Sequence, residues 1–370
     1  MKRLCKTIAL GLSLLLSLSL LCGCDRNTGE YYTETAHSEK QAGLPVEGES
    51  SGINGYYTLK GAILNMVSMG IREDVFRVGS YSGDLEADLK VIIQEITTAE
   101  PIGIYGVSSI TVDQTRVLTY RELAVAVQYK RTASELRSIV EIRSAYDLQS
   151  RVSTMLQNFG NVRILQVSNG SALKKDIQQE IYTAWMNCGA DAPHFDYVAA
   201  DFYPEGEDRA ILEVRPQYID ELEGHQARVE QIKLRAAEIA DGLQNGAEEK
   251  DRLTEIALWL QENVYYDQSA QRVVNETGGE QRKGASYTAY GALIDGDAAQ
   301  SGFVLAASAL LDQLSIEHEV VTGTVGEDIY SWILLTVDGQ ETVFDVTALQ
   351  NGREALLYTA SEAADLFIPW

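Results

Sequence analysis

The stretch TAYGALIDGDAAQSGF, residues 288–303, decides the fold of the C-terminal part of this chain. An apolar lead-in ends at a glycine turn around Gly296, and apolar residues at helical spacing follow. The spacing predicts a helix over 301–314 with its apolar face at Phe303, Ala307, Leu310, Leu311 and Leu314. Strand patterns follow at 317–324, 329–337 and 341–346. This order of elements predicts an α+β architecture.

Two further helices precede this stretch. The first has apolar residues at Val229, Ile232, Ala236, Ile239 and Leu243, and the second at Leu253, Ile256, Ala257, Leu260 and Val264. Asn245-Gly246 lies between them, and this pair favours a helix end. Residues 267–284 are polar and contain glycine, which predicts a surface loop.

Taken in order over 225–370, these segments resemble the transglutaminase-like domain of the papain-like, cysteine-nucleophile superfamily. Residues 288–303 are similar to the segment that brings that family's nucleophilic cysteine to the start of a helix. Tyr330-Ser331-Trp332 stands where the family has His-Ala-Trp, and Phe344-Asp345-Val346-Thr347 matches its Asp-Val-Thr segment. The resemblance implies a helix packed on an antiparallel sheet, with a cleft between them.

The chain departs from that family at two of the three catalytic positions. Gln300 occupies the nucleophile position and Tyr330 the histidine position, whereas Asp345 keeps the family identity. A carboxamide is not a useful nucleophile, and a phenol with a pKa near 10 is a poor base at neutral pH. The resemblance therefore implies a pseudoenzyme with no catalytic residues. Ser301 offers a hydroxyl, but its position favours an N-cap role.

Residues 53–222 are predicted to contain two small α/β units, each with the order strand, helix, strand, strand. Phe76-Arg77-Val78 opens the first unit and Val162-Arg163-Ile164 the second, while Tyr129 and Tyr218 end corresponding strands. His194 and His225 are interpreted as solvated or capping residues because they lack metal-ligand spacing. His318 is interpreted as a surface or edge-strand residue because it lies between two acidic residues at the start of a strand. We expect no metal and no cofactor.

The N-terminus predicts export and lipid attachment. Lys2, Arg3 and Lys6 precede an apolar run from Ile8 to Leu21, which is too short for a typical membrane-spanning helix. Leu21-Cys22-Gly23-Cys24 resembles a bacterial lipobox, so residues 1–23 are expected to be a signal peptide and Cys24 the acylated residue. Acyl chains such as palmitate on Cys24 would anchor the chain in the bilayer, at the extracytoplasmic face of the cell membrane. Residues 24–52 are polar and predict a flexible tether.

Charge and cysteine content limit the remaining functions. The chain has a net charge of −24, and without the leader it has 27 basic and 54 acidic residues, a charge of −27. Such a surface repels phosphate backbones, which excludes nucleic acid as an expected partner. Cys188 is then the one cysteine besides Cys24 in the mature chain, and we expect it to be buried or passive.

Three functions remain open from the sequence. The first is binding of a peptide or cell-envelope component in the degenerate cleft, with Trp332, Ser301 and Tyr330 as candidate binding residues. The second is a structural or adaptor surface protein that contacts partners through 53–222. The third is an active acyltransferase or peptidase that uses non-standard residues such as Ser301.

Overall fold

The computed structural model describes residues 52–243 and 248–370. The predicted signal peptide, Cys24 and all but the last residue of the predicted tether lie outside the described residues. Within the described ranges, no helix is both long enough and apolar enough to cross a membrane.

The first segment is a three-stranded antiparallel sheet covered on one face by helices. Its elements are α1 Tyr56–Met69, β1 Glu73–Val78, α2 Leu85–Thr98, α3 Pro101–Gly106, β2 Val107–Val117 and β3 Tyr120–Tyr129. The strand order is β1-β3-β2. Asp84 caps α2 by accepting hydrogen bonds from the backbone N–H groups of Glu86 and Ala87. The apolar face of α2 is buried in a core that belongs to this segment alone.

The second segment has a four-stranded sheet. Its elements are α4 Ala133–Arg137, β4 Val140–Glu141, α5 Ala145–Gln157, β5 Arg163–Val167, α6 Gly170–Met186, a 3-10 turn at Gly189–Asp191, β6 Phe195–Tyr203 and β7 Ala210–Tyr218. The strand order is β4-β5-β7-β6. In both segments, therefore, the opening strand pairs with the last strand of the hairpin that follows it.

The two segments also agree in finer detail. Tyr129 and Tyr218 end β3 and β7, and both hairpins have a register irregularity at the residue pair that includes that tyrosine. The Tyr129 hydroxyl donates to the carbonyl of Ile71, 2.7 Å away, and the Tyr218 hydroxyl to that of Gly160, 2.9 Å away. Both carbonyls lie in the turn between a helix and the opening strand. Each tyrosine thus ties the end of its hairpin to the start of its segment.

The third segment packs helices against a five-stranded antiparallel sheet of order β13-β12-β11-β10-β14. Its helices are α7 Leu222–Leu243, α8 Glu249–Asn263, α9 Gln268–Thr277, α10 Gln300–Gln313 and α11 Ala360–Ala363. Its strands are β8 Tyr265–Tyr266, β9 Asp297–Ala298, β10 His318–Val325, β11 Asp328–Val337, β12 Gln340–Phe344, β13 Leu357–Thr359 and β14 Ile368–Pro369. Helices and mostly antiparallel sheets in separate layers confirm the α+β class.

The prediction of a loop over 267–284 was wrong for its first half. Asp267 caps α9 by accepting from the N–H groups of Ser269 and Ala270, and Ala270 and Val274 bury the apolar side of this helix. Two buried positions in ten residues give too weak a period to be recognised in the sequence.

The core joins the second and third segments. One apolar cluster contains Trp185 and Phe195 of the second segment together with Leu253, Phe303 and Ile333 of the third. A smaller cluster around Tyr105, Leu136, Ile164 and Ile211 joins the first segment to the second. The second segment is therefore packed on both sides.

Candidate functional site

The N-terminus of α10 enters the centre of the third segment, and glycine allows this approach. A Cβ on Gly302 would lie 2.5 Å from the carbonyl oxygen of Ser286 and 3.1 Å from that of Thr288. The lead-in segment therefore passes directly against the first turn of α10. Residues 300–311 of this helix are all buried, which explains why its sequence is apolar on every side.

Gln300 links this helix start to the sheet. Its side chain is fully buried, its Nε2 donates to the carbonyl of Ser331 at 2.5 Å, and its Oε1 accepts from the backbone N–H of Ser331 at 3.1 Å. Nε2 also lies 3.5 Å from Thr347 Oγ1. The carboxamide thus pairs with a strand backbone as another strand would, and it satisfies polar groups that burial would otherwise leave without partners.

Tyr330, on β11, has its hydroxyl at the centre of a buried polar network. The hydroxyl lies 2.8 Å from Asp345 Oδ1 and 2.6 Å from Thr347 Oγ1, and it accepts from Asn351 Nδ2 at 3.0 Å. Arg353 also donates to this oxygen, and its guanidinium carbon lies 4.9 Å from the centre of the Tyr330 ring. Burial, together with the negative charge of Asp345, raises the pKa of Tyr330 well above its usual range. Tyr330 is therefore a neutral phenol at physiological pH.

Asp345 is fully buried directly after β12 and is neutralised by Arg353. Its Oδ2 lies 2.8 Å from Arg353 Nε and 2.6 Å from Nη2, and its Oδ1 accepts from the backbone N–H of Thr347 at 3.2 Å. In a catalytic triad an aspartate orients a histidine, whereas here the carboxylate holds a tyrosine and an arginine. Arg353 was not predicted from the sequence, because nothing in its local sequence marks it as a partner of Asp345.

The structure therefore brings Gln300, Tyr330 and Asp345 together through Thr347, which contacts all three side chains. Among them, the carboxamide of Gln300 is not a useful nucleophile, and Tyr330 is held as a neutral phenol. Every contact described is a hydrogen bond or an ion pair that stabilises the packing of α10, β11 and the segment after β12.

Ser301 is not the helix cap that its position predicts. Ala299 is the N-cap residue, and Ser301 lies inside the first turn, where its hydroxyl donates to the carbonyl of Tyr287 at 2.9 Å. The cap prediction was wrong because the helix begins one residue earlier, at Gln300. Within the described residues, no histidine is hydrogen-bonded to Ser301.

The three candidate cleft-binding residues are buried. The exposed fractions are 1% for Ser301, 4% for Tyr330 and 3% for Trp332. The ring of Trp332 packs against Phe367, with 5.3 Å between ring centres. A ligand could reach these residues only if the elements that cover them moved.

Helix α6 of the second segment is one of those elements. Thr183 and Thr322 share a hydroxyl–hydroxyl hydrogen bond of 2.5 Å, which fixes α6 to β10. Tyr182, on the same helix, is fully buried with its phenol beside Ser331 and Ser301. The C-terminal residue also contributes, because the Trp370 ring lies edge-on to Tyr182 and its backbone N–H donates to the Thr322 carbonyl at 3.2 Å.

Arg282 is a second feature that the sequence analysis missed. It follows α9, is 3% exposed, and has its guanidinium carbon 4.7, 4.4 and 4.9 Å from the ring centres of Tyr182, Trp185 and Phe195. Its Nε and Nη1 are buried, and the described part of the chain offers them no hydrogen-bond partner. Burial lowers the pKa of Arg282 to about 10, and aromatic faces provide the compensating attraction. This aromatic cage connects the loop after α9 to α6 and β6.

The prediction that His194 and His225 are solvated or capping residues was wrong. Both are buried, at 5% and 6% exposure. His194 Nε2 lies 2.9 Å from Thr288 Oγ1, and its Nδ1 lies 3.4 Å from Asp220 Oδ2 and beside Arg228. Burial, reinforced by the positive charge of Arg228, lowers the pKa of His194 to about 4. His194 therefore connects the second segment to the lead-in of the third as a neutral residue.

The remaining candidate groups lie apart from this site. His318 Nε2 is 2.7 Å from Ser308 Oγ, and its Nδ1 is 2.9 Å from the carbonyl of Ile316. Cys188 is buried as predicted, and burial raises the pKa of its thiol well above the usual range. The described residues contain no cluster of three His, Cys, Asp or Glu that could hold a metal ion.

Comparison with known proteins gives distant structural likenesses. No family profile and no curated protein matches this chain. A solved structure described as a TGase aligns with 65% of this chain and 65% of its own length, at 11% identity and a TM-score of 0.31. A proposed cysteine protease from Cytophaga hutchinsonii aligns with 45% of this chain and 68% of its own, at 14% identity and a TM-score of 0.27. A proposed protease from Parabacteroides distasonis aligns with 64% of this chain and 35% of its own, at 11% identity and a TM-score of 0.23.

Proposed function

We propose that this protein is a membrane-anchored, extracytoplasmic lipoprotein in which a non-catalytic transglutaminase-like domain serves as a scaffold. In this proposal Cys24 carries the acyl chains, and the chain acts as a surface adaptor through the segments before residue 222. Residues 225–370 would then have a structural role, and the N-terminal units would contact the partners.

The observation that carries the proposal is the closed network at the degenerate positions. Gln300 is fully engaged with the backbone of Ser331, and Asp345 is engaged with Tyr330 and Arg353. A catalytic site needs a group that can attack or accept a proton at neutral pH, and it needs access for the substrate. This network has neither, whereas it fits a role in holding helix α10 against the sheet.

The transglutaminase-like assignment is supported by the arrangement of these residues in the chain's own structure. The degenerate nucleophile position begins a buried helix, the histidine position lies on the neighbouring strand β11, and the aspartate follows β12. All three meet at Thr347, as the resemblance of the sequence segments implies.

A second candidate is ligand binding in the covered cleft, which is favoured by Arg282. This cation lies beneath α6, and no carboxylate of the described residues forms an ion pair with it. If α6 moved away, Arg282 would be available to the carboxylate of a peptide or of a cell-envelope component. Trp332, Ser301 and Tyr330 would then become reachable.

An activity measurement separates the enzyme from the scaffold. The chain from residue 25 onward is assayed for acyl transfer and peptide hydrolysis, beside the double variant Gln300→Cys, Tyr330→His. We expect the natural chain to show no acyl transfer and no hydrolysis with any acyl donor tested. Activity in the natural chain that is lost in Ser301→Ala would overturn the proposal and establish an unusual enzyme.

Two further measurements test the anchor and the adaptor role. Incorporation of labelled palmitate in cells is expected in the natural protein and not in Cys24→Ser. Photo-crosslinking groups placed at exposed positions, Val75 in β1 and Tyr265 in β8, compare the N-terminal and C-terminal surfaces. Cross-links from Val75 but not from Tyr265 support the adaptor role, and the opposite result contradicts it.

A further inference from the structure

The hairpin of β2 and β3 ends in an apolar tip between two arginines. Leu118 and Thr119 form the connection, and Leu118 is 98% exposed. The register pairs Val117 with Tyr120 and then Arg116 with Arg121. Side chains that are directly opposite in an antiparallel pair lie on the same face of the hairpin, with about 5 Å between their Cβ atoms.

Two like charges in this position oppose folding of the hairpin. Arg116 and Arg121 are both exposed, and neither has an ion pair with an acidic side chain of the described residues. The neighbouring Glu122 is engaged by Arg77 at 3.5 Å and by the Tyr120 hydroxyl at 3.4 Å. Arg121 shares a hollow with Asp84 and Glu86 but forms no ion pair with either of them, so both arginines are open to an anionic partner outside the chain.

The tip lies at the same end of the first segment as Asn54, which is near the first of the described residues. The backbone N–H of Ser82 donates to the carbonyl of Asn54 at 2.9 Å, which fixes the start of the segment beside the loop after β1. The same loop borders Arg121, because Val78 pairs with Arg121 and Gly79 lines a hollow together with it. The arginine pair therefore lies at the same end of the segment as Asn54, close to the first of the described residues.

We infer that this tip, defined by Arg116, Leu118 and Arg121, binds the surface of a bilayer that contains anionic phospholipid. This inference rests on the proposed lipid anchor, which would hold the tip within reach of the membrane. A projecting leucine enters the boundary between headgroups and acyl chains, and arginines on either side reach lipid phosphates with several N–H groups. Two arginines and one leucine bind weakly without the anchor, so the contact orients an already attached protein.

The test places a reporter at the tip of the anchored protein. The acylated full-length protein is reconstituted into phosphatidylcholine vesicles with or without phosphatidylglycerol, and NBD fluorophore is attached at Thr119→Cys. We expect a blue-shifted emission and quenching by spin-labelled lipid that depend on phosphatidylglycerol. The matched control carries NBD at Tyr146→Cys, an exposed position on α5, and we expect no such change there.

Charge and salt identify the interaction. Each juxtamembrane arginine contributes about fivefold to binding, so Arg116→Gln with Arg121→Gln should reduce tip contact by about 30-fold. Salt at about 1 M, where the screening length is about 3 Å, should have a similar effect. Leu118→Ser should reduce the blue shift while leaving the dependence on phosphatidylglycerol. Arg116→Gln alone should raise the midpoint of thermal unfolding, because it removes a like-charge pair.

The possible results separate this inference from the proposed anchor. If Cys24→Ser stays in the membrane fraction as the natural protein does, the anchor proposal fails. If the natural protein is anchored but the NBD signal is the same with and without phosphatidylglycerol, the inference about the tip is wrong. In cells, cross-linking of position 119 to a protein in place of lipid would likewise overturn it, in favour of an acidic protein partner.

Discussion

Replacing Asp345 by asparagine tests whether this carboxylate is part of a structural network or of a preserved catalytic site. The substitution keeps the shape of the side chain and leaves one oxygen to accept from Tyr330 and from the backbone of Thr347. On the other side, where Arg353 donates from 2.8 and 2.6 Å, it removes the charge and can place an N–H group opposite two N–H donors. The arginine then keeps its charge in a buried setting without compensation.

The expected loss is large because Asp345 is fully buried. Removing one partner of a buried ion pair costs about 3 to 5 kcal/mol of unfolding free energy. Arg353 is 21% exposed and can recover some hydration, so the lower end, about 3 kcal/mol, applies. A surface ion pair would contribute only about 0 to 1 kcal/mol, so the measurement distinguishes a buried ion pair from an exposed one.

Urea unfolding, followed by tryptophan fluorescence, measures this loss. Trp332 lies in the same apolar cluster as Tyr330, so its emission reports the structure of this region. The matched control is Asp338→Asn on the turn after β11, where Asp338 is 73% exposed and pairs with Lys250 at 2.8 Å. We expect the control to change the unfolding free energy by less than about 0.5 kcal/mol.

A neutral or stabilising effect of Asp345→Asn would refute the structural interpretation. Residues that are kept for catalysis often reduce stability, and their replacement commonly raises it. Such a result would mean that the carboxylate is retained for a chemical task, and the search for a substrate would reopen at Ser301 and Tyr330.

Three other perturbations test separate parts of the structure. Gly302→Ala brings a Cβ to 2.5 Å from the Ser286 carbonyl oxygen, so it should lower the free energy of urea unfolding by more than about 2 kcal/mol. The control Gly61→Ala, in helix α1, meets no atom within 4 Å and should raise that free energy by about 0.5 to 1 kcal/mol. Arg282→Met should be neutral or stabilising, by up to about 3 kcal/mol in the same assay, because it removes a buried cation that has no carboxylate partner among the described residues. Arg282→Lys should destabilise, since an ammonium group is more strongly hydrated and cannot stack. The pKa of His194 is lowered from 6.5 to about 4, so between these pH values the unfolded chain binds more protons than the folded chain. The free energy of unfolding should therefore fall by about 3 kcal/mol in total as the pH falls from about 6.5 to 4. His194→Gln should flatten this dependence when unfolding midpoints are measured across that pH range, and an unchanged slope would contradict the assignment.

Local sequence patterns predicted the elements of the third segment well. The helix predicted over 301–314 is observed at 300–313, and the strands predicted at 317–324 and 329–337 are observed at 318–325 and 328–337. Hydrophobic periodicity and turn residues are local signals, so they can be read without knowledge of the tertiary structure. The convergence of Gln300, Tyr330 and Asp345 followed from the resemblance rather than from any such period.

The partners of these residues were not predictable, because burial and long-range pairing leave little trace in a single sequence. Arg353 neutralises Asp345 from a turn eight residues away, and Tyr182 covers the same region from another segment. Arg282 has a charged side chain in a polar stretch, where the sequence indicates exposure, yet three aromatic rings from the second segment surround it. His194 was misjudged for the same reason, because its partner Thr288 is distant in sequence.

The two N-terminal segments share the same strand pairing but differ in how much of their sheet surface stays exposed. In β7 six of the nine positions are buried, and even Glu213 is only 2% exposed, between Arg131 at 3.0 Å and Arg215 at 2.6 Å. The core shared with the third segment and the small cluster around Tyr105 account for this burial. The second segment thus uses its packing surfaces to join its neighbours.

Strand β3 of the first segment shows the opposite pattern. Leu123, Val125 and Val127 are buried against helices, whereas Ala124 is exposed between them, and the paired Val75 of β1 is 55% exposed. Clean alternation is typical of a sheet with one free face. If the segments are copies of one unit, the second is packed against both of its neighbours, whereas the described residues leave a sheet face and the hairpin tip of the first uncovered. An adaptor that contacts partners through its N-terminal part would therefore do so through the first segment, and cross-links should concentrate between residues 53 and 130.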